Sequence, residues 1–270
     1  MALLKNLSIK LQILSICGLA LLGFVSIGAI YFISSGVQTT LQDHQNESLH
    51  VFELEEELRF ELLNARRREK DFIIRSDKKY IGQHAKVIED QRTLLSSLEK
   101  ISQTESETKY IKDLIDLVNK YEKQFALVVK DRLTIGLDEK SGLRGDLRKT
   151  VQDAEAKLKE LNAENLTILM LMMRRHEKDF LLRLDPKYVG RIDTRVKEFN
   201  TAMSVSDIPS NTQTEISGLI DKYKTAFHNL SDIRLALIPK EKALSSIYAD
   251  GQPSLDALHD EVQQSYQQSL

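Results

Sequence analysis

The chain has 270 residues, with 38 basic and 40 acidic side chains and a formal net charge of −2. This balance excludes a polyelectrolyte nucleic-acid binder of the histone or ribosomal kind. Eleven glycines, four prolines and 6% aromatic residues are too few for a β-sandwich or barrel. The 29% of charged residues instead suits long amphipathic helices, and a single cysteine excludes an internal disulfide.

The first predicted element is a transmembrane helix over residues 11–33, which follows a short cytoplasmic segment, residues 1–10. The run carries no charge, and as a helix it would reach about 35 Å, enough to cross a hydrocarbon core of about 30 Å. Lys5 and Lys10 precede it and the next charge is Asp43, so the positive-inside rule places residues 34–270 in the periplasm. A cleaved signal peptide is the alternative, but its apolar region is usually only about 7–15 residues long. We therefore expect an integral protein of the bacterial inner membrane.

Apolar residues recur at helical spacing throughout the exported region, which predicts an all-α bundle. The first exported helix should end near Ser76, with Asp77 as the N-cap of the next. Thr104 and Glu107 have the spacing of a capping box, which opens a third helix.

Glycines at positions 136, 142 and 145 predict a break in the middle of the chain. One long helix is expected from about residue 146 to residue 184, where Asp185 and Pro186 end it and start another. Residues 205–211 are expected to form a loop. The remaining helical region should be interrupted near Pro239 and Pro253, because proline disrupts a helix interior.

An internal repeat is the most informative feature of the sequence. The segment RRREKDFIIR at 66–75 recurs as RRHEKDFLLR at 174–183, and the match extends over 66–82 and 174–190. A weaker echo pairs KYxxxF at 120–125 with the same pattern at 222–227. The direct inference is two homologous helical modules.

The repeated segment concentrates positive charge beside an apolar stripe. Arg68 lies one turn before Phe72, and His176 has the same place in the second copy. Cations there need a partner, since an unpaired buried charge is costly. That partner is either a carboxylate on a facing helix or a bound carboxylate held by arginine. Pairs at i,i+4, Arg67 with Asp71 and Arg175 with Asp179, are expected to be structural.

A membrane helix followed by two copies of R-R-x-E-K-D-F-[IL]-[IL]-R, with GLDEKSGLRGDLR at 136–148 between them, resembles a known family. It is similar to the helical bimodular sensor domain of bacterial methyl-accepting chemotaxis receptors and some sensor kinases, over residues 37–270. The resemblance implies two stacked four-helix-bundle modules that share long helices, a homodimer, and small organic acids bound by arginines inside the bundles. Aligned with the family motif, the implied ligand-binding residues are Arg67, Arg68, Lys70, Arg175, His176 and Lys178.

The resemblance also implies a larger protein. Such a receptor continues into a second membrane helix, a HAMP linker and a cytoplasmic signalling hairpin that binds signalling partners. We expect these after Leu270. Chemotaxis is the leading output. The alternatives are the sensor of a histidine kinase, or a single-pass protein-interaction module without a small ligand.

Other chemistry finds little support in the sequence. The six histidines show no HxxxH or HExxH spacing, and neither a P-loop nor a G-x-S-x-G segment occurs. We therefore expect no metal, no cofactor, no nucleic-acid partner and no enzymatic activity. The acidic run at Glu53, Glu55, Glu56 and Glu57 is expected to be a solvated helix face.

Overall fold

A computed structural model describes residues 9–102 and 104–269, with the side-chain surroundings of residues 12, 34–41 and 44 left aside. Residues 1–8 of the predicted cytoplasmic segment and Leu270, the last residue of the predicted periplasmic domain, lie outside the described residues. Seven helices make up this part of the chain: α1 (Ile9–Arg75), α2 (Lys79–Ile101), α3 (Glu105–Ile135), α4 (Gly142–Glu160), α5 (Glu164–Arg183), α6 (Lys187–Ser204) and α7 (Ser210–Ser269).

The helices form two four-helix bundles stacked end to end. In module 1, α1 packs on α2, and both α1 and α3 pack on the second half of α7. In module 2, α5 packs on α6, and α4 packs on the first half of α7. The predicted all-α fold of stacked bundles that share a long helix is confirmed.

Each repeat contributes its fourth helical segment to the other module: α4 from the first repeat and the second half of α7 from the second. The repeated segments lie on α1 and α5, and the KYxxxF echoes lie on α3 and the first half of α7. The chain then continues from α3 into α4, which packs in module 2, and along α7 into its second half, which packs in module 1. The modules are therefore tied together by two crossing segments.

Local signals in the sequence explain several helix ends. The capping box at α3 is confirmed: the Glu107 N–H donates to Thr104 Oγ1 at 3.0 Å, and the Thr104 N–H donates to the Glu107 carboxylate at 3.2 Å. The predicted N-caps Asp77 and Asp185 lie one residue before the observed caps of α2 and α6. Their carboxylates nevertheless accept the N–H groups of Lys79 and Lys187, each at 2.9 Å. The loop predicted at 205–211 covers residues 205–209, because α6 ends at Ser204 and α7 begins at Ser210.

Two predictions about helix continuity are wrong. The long helix expected over 146–184 is a hairpin of α4 and α5, because Asn162 adopts a left-handed conformation (φ 48°) that reverses the chain. Conversely, α7 runs without a break through Pro239 and Pro253. The residues around these prolines, Leu237, Leu244 and Leu255, are buried in the bundle, and this burial compensates for the lost backbone hydrogen bonds.

Close approaches favour glycine at several positions, of which two lie at helix contacts. The turn between α3 and α4 begins at Gly136, where φ is +100° and a Cβ would lie 1.8 Å from the Ser141 carbonyl oxygen. On α7, a Cβ at Gly251 would lie 2.2 Å from Leu117 Cδ2 of α3. The first glycine ends α3 at the boundary between the modules, and the second lets α7 approach α3 in module 1.

Among the described residues, one helical segment, Ile9–Ile33 at the start of α1, is long and apolar enough to cross a membrane. None of the side chains described in this segment is buried. The same helix continues into module 1, so any membrane segment here would be joined to the bundle without a flexible linker.

Candidate functional site

Module 1 contains a buried cluster built on Glu69, whose side chain is fully inaccessible to solvent. Arg66, one turn earlier on α1, and the Tyr121 hydroxyl of α3 both donate to Glu69 Oε2. Burial, and secondarily Glu69, raises the pKa of Tyr121, so the phenol remains a donor. The Arg66 guanidinium also donates to Ser245 Oγ of α7 at 2.6 Å and lies against the ring of Tyr248.

Module 2 repeats the cluster. Glu177 is 3% exposed and accepts two hydrogen bonds from Arg174, at 2.7 and 2.6 Å. The Tyr223 hydroxyl of α7 donates to it at 3.2 Å, and burial again raises the tyrosine pKa. A second carboxylate joins here, since Glu155 of α4 lies 3.4 Å from Arg174 Nε.

The space beside the two clusters differs. In module 1, Tyr248 and neighbouring apolar side chains leave a cavity of only about 10 Å³. In module 2, a cavity of about 250 Å³ lies between α4, α5 and α7. It is mostly polar and contains four cations opposite three carboxylates: Arg144, Arg148, Arg174, Lys178, Glu139, Glu155 and Glu177.

Most of the cavity cations already have partners. Arg148 lies 2.6 Å from Glu139, and Arg174 is paired as described. Arg144 makes no hydrogen bond or ion pair with any side chain in the described ranges. A small anion that enters the cavity therefore meets one unengaged guanidinium and others that can exchange partners.

The structure separates the six residues predicted to bind the ligand. Arg67 and Arg175 lie on the outer faces of α1 and α5, and both are exposed. Their expected pairs with Asp71 and Asp179 do not form. Arg67 instead donates to Asn64 at 2.9 Å, and Asp71 accepts from Arg75 at 3.1 Å.

Arg68 and His176 are both partly buried. Arg68 Nη1 lies 3.9 Å from the Asp71 carboxylate of the same helix, and its buried Nε has no hydrogen-bond partner. His176 lies near Tyr188 of α6, and its buried Nδ1 is likewise unpaired. Burial, followed by the charges of Arg191 and Arg195, lowers the pKa of His176.

Of the predicted residues, Lys178 alone lines the cavity in module 2. Its Nζ lies 3.8 Å from Glu177, and the side chain is largely exposed. The equivalent Lys70 approaches Glu69 at 3.0 Å. In both copies of the repeated segment, the residues that converge in the buried cluster are the first arginine and the glutamate, and neither was among the six predicted residues.

The arginine, glutamate and tyrosine of each buried cluster all belong to parts of the sequence that are repeated. Arg66 and Glu69 belong to the repeated segment, and Tyr121 belongs to the weaker echo. Both elements recur together in the second copy, which is the pattern expected when they contact each other. The fourth-helix residues Glu155 and Tyr248 lie outside the repeats and had no such signal.

The expectation of a solvated acidic run is wrong for Glu55, which is fully buried. Its Oε2 is hydrogen-bonded to His259 Nδ1 of α7 at 2.8 Å, and its Oε1 lies 3.7 Å from Arg59. Glu55, Glu56 and His259 each place one potential metal-ligand atom within 4.8 Å of the other two. Since Glu55 already pairs with His259 and Arg59, we interpret the group as an ion-pair cluster that joins α1 to α7.

Comparison with known proteins identifies no relative: no protein-family model matches the chain, and no curated protein is significantly similar to it.

Proposed function

We propose that the chain is the membrane-anchored sensor region of a bacterial receptor of the helical bimodular type, and that it binds a small organic acid in the cavity of module 2. The observation that carries the proposal is this cavity, in which Arg144, Arg148, Arg174 and Lys178 surround about 250 Å³. Sites for drug-sized ligands are about 300–1,000 Å³, so the expected ligand is smaller. Guanidinium groups bind carboxylates by paired hydrogen bonds.

The shared helix α7 supplies a route for the signal. Leu230 of α7 lines the cavity, and the same helix continues to Tyr266, which stacks on Phe52 of α1 at 5.4 Å between ring centres. A ligand that favours one packing of α4 and α5 against α7 would shift α7 relative to α1. Only a difference in affinity between the two packings can drive such a change.

Membrane attachment supports the same role. The apolar segment Ile9–Ile33 leads directly into module 1. With Lys5 and Lys10 on the cytoplasmic side, the modules lie in the periplasm, where they meet small solutes. Chemotaxis is the output we propose, and it requires cytoplasmic signalling partners.

The test is calorimetric titration of the full chain, solubilised in a non-ionic detergent, with mono-, di- and tricarboxylates. We expect at least one acid to bind, and we expect Arg148→Met and Lys178→Met each to weaken its binding at least tenfold. Both side chains are substantially exposed, so the variants should fold. Lys70→Met, the equivalent change in module 1, is the matched control.

Exposed Arg67 and Arg175 provide further controls. Because both lie outside the cavity, Arg67→Ala and Arg175→Ala should leave binding unchanged. If no acid binds, or if Lys178→Met and Lys70→Met have equal effects, the cavity is not the sensor site.

A homodimer is the second part of the proposal, and a repeated apolar stripe supports it. Six large side chains on the outer faces of α1 and α5 are between 54 and 80% exposed. They occupy equivalent positions in the two copies: Phe60, Leu63 and Ile74 on α1, and Ile168, Leu171 and Leu182 on α5. Exposed apolar surface of this extent marks an interaction site. Because α1 continues from the membrane segment, the stripes of two copies in one membrane run parallel to each other and can pack side by side.

Disulfide cross-linking tests the dimer in membranes. In a Cys17→Ser background, Leu63→Cys should cross-link two copies under mild oxidation, whereas Asn200→Cys, on the exposed face of α6, should not. Equal cross-linking at both positions would indicate random collision and contradict the assignment of the stripe.

A further inference from the structure

The boundary between the modules carries more positive charge than its acids can neutralise. We call the junction the region where α3 ends, α4 begins and the middle of α7 passes. Arg132 of α3 donates to Glu241 of α7 through Nε and Nη2, at 2.9 and 2.6 Å, and to the Ile73 carbonyl at 2.8 Å. Both hydrogen bonds to Glu241 end on Oε1, so this carboxylate is already paired with Arg132.

Two further arginines approach the same place. Arg144, in the first turn of α4, lines the module 2 cavity together with Leu230 of α7. Arg234 follows Leu230 by one helical turn and precedes Glu241 by two turns. It therefore lies between the cavity and the Arg132–Glu241 pair.

Arg234 has no counter-charge of its own. Its Nε is buried without a hydrogen-bond partner, and within the described ranges neither Arg234 nor Arg144 forms an ion pair. Burial is the main cause that lowers the pKa of Arg234, followed by the charges of Arg132 and Arg144; Glu241 opposes them only in part.

Two neighbouring acids are already engaged. Asp131 pairs with Lys240 at 2.5 Å, and Glu139 pairs with Arg148 at 2.6 Å. Among the charged groups that act on Arg234, two guanidinium groups are thus opposed by one carboxylate. A partly buried arginine without a partner is unfavourable, and a forked guanidinium matches a carboxylate or phosphate.

We infer that the junction is a second anion site, in which Arg234 and Arg144 bind a small oxyanion of the phosphate or carboxylate class beside Arg132. The bound anion contacts α4 and α7 and lies next to α3, so it connects the two modules. The site borders the proposed organic-acid cavity and shares Arg144 with it, but Arg234 does not line that cavity, and Arg148, Arg174 and Lys178 do.

Thermal unfolding of the full chain in detergent, followed by circular dichroism, tests the inference. Sodium phosphate is compared with sodium chloride at equal ionic strength and pH 7, and sodium malonate forms a second arm that distinguishes a carboxylate. At about ten times the dissociation constant, the effective anion should raise the midpoint by about 3–6 °C.

Arg234→Gln separates an anion site from a structural arginine. In chloride we expect this variant to be at least as stable as the parent, because it removes like-charge repulsion, and we expect its response to phosphate and malonate to disappear. Lys197→Gln, the same charge change on the exposed face of α6, should retain the full response.

Three results would overturn the inference: no anion-specific rise in the parent chain, an undiminished rise in Arg234→Gln, or destabilisation of Arg234→Gln in chloride. The two sites can also be told apart. Lys178→Met should keep the phosphate response, and Arg234→Gln should keep organic-acid binding in the cavity.

Discussion

The same arginine–glutamate–tyrosine cluster lies in two different surroundings in the two modules. In module 1, Ser245 and Tyr248 of α7 cover Arg66, and about 10 Å³ remains beside the cluster. In module 2, Arg174 faces a second carboxylate, Glu155, and a cavity of about 250 Å³. The duplicated segments form the cluster in both modules, and the fourth helix of each module determines how much space remains beside the cluster.

The modules also differ in one buried side chain, which lies in the second turn of the second helix of each repeat. Module 1 has His84, which is 2% exposed and stacks on Phe125 at 3.9 Å between ring centres. Ile192 occupies the equivalent position in module 2 and is fully buried. The core of module 1 thus contains a titratable side chain at the position where module 2 has an apolar one. The stability of module 1 should therefore depend more strongly on pH than that of module 2.

Removal of the buried glutamate should have the largest effect. A lost partner in a buried ion pair costs about 3–5 kcal/mol. We expect Glu69→Ala to reach this range and Glu177→Ala to fall below it, because Glu155 remains to pair with Arg174. Urea unfolding monitored by circular dichroism measures both. Equal losses would mean that Glu155 gives no support, and a larger loss at Glu177 would reverse the comparison.

Acid should weaken module 1 through His84. Burial lowers the pKa of His84 to about 4, although Glu69 and Glu122 act in the opposite direction. Because the folded-state pKa is below the ordinary value of about 6.5, this group's contribution to stability is complete above pH 6.5 and is lost as the pH falls toward 4. The loss amounts to about 3 kcal/mol.

The comparison of His84→Ile with the parent isolates this contribution, since the variant copies the residue of module 2. The parent should lose stability more steeply than the variant between pH 6.5 and 4, as measured by unfolding midpoints at each pH. Parallel curves would show that His84 titrates normally.

Replacement of a proline in the middle of α7 should change the stability by a smaller amount. Pro239 lies near the level at which α3 gives way to α4, yet α7 continues through it. Proline in a helix interior costs about 3 kcal/mol relative to alanine. We expect Pro239→Ala to stabilise the chain by about 1–3 kcal/mol in urea unfolding, with Pro253→Ala as the second proline for comparison. A destabilised Pro239→Ala would show that the local bend contributes to packing.

These helix details also show how far the sequence could lead. Signals within one turn were reliable: the Thr104–Glu107 capping box and the glycine break after Ile135 both formed as expected. The reversal at Asn162 was missed because the residues around it are good helix formers, although asparagine is one of the residues that adopt a left-handed conformation at a helix end. The prolines of α7 misled for a different reason, since burial of the helix outweighs a local preference.

The same contrast between local signals and tertiary packing applies to the candidate site. The repeat identified the helical segment, because duplication is visible in a single sequence. It did not identify Glu155 or Tyr248, which lie on helical segments outside the repeated motifs. The cavity depends on these fourth-helix residues, so its existence in only one of the two clusters could not be predicted from the repeat.

The smallest expected effect compares two equivalent glycines, Gly82 of α2 and Gly190 of α6. Both are exposed helical positions, and a Cβ added at either meets no atom within 4 Å. Glycine in a helix interior costs about 0.5–1 kcal/mol relative to alanine, so Gly82→Ala and Gly190→Ala should each stabilise the chain by that amount in urea unfolding. Equal gains would show that both helices are open to solvent in the intact protein. A gain at only one would show that another surface covers the other helix, and the cross-linking variants would then identify whether that surface belongs to a second copy.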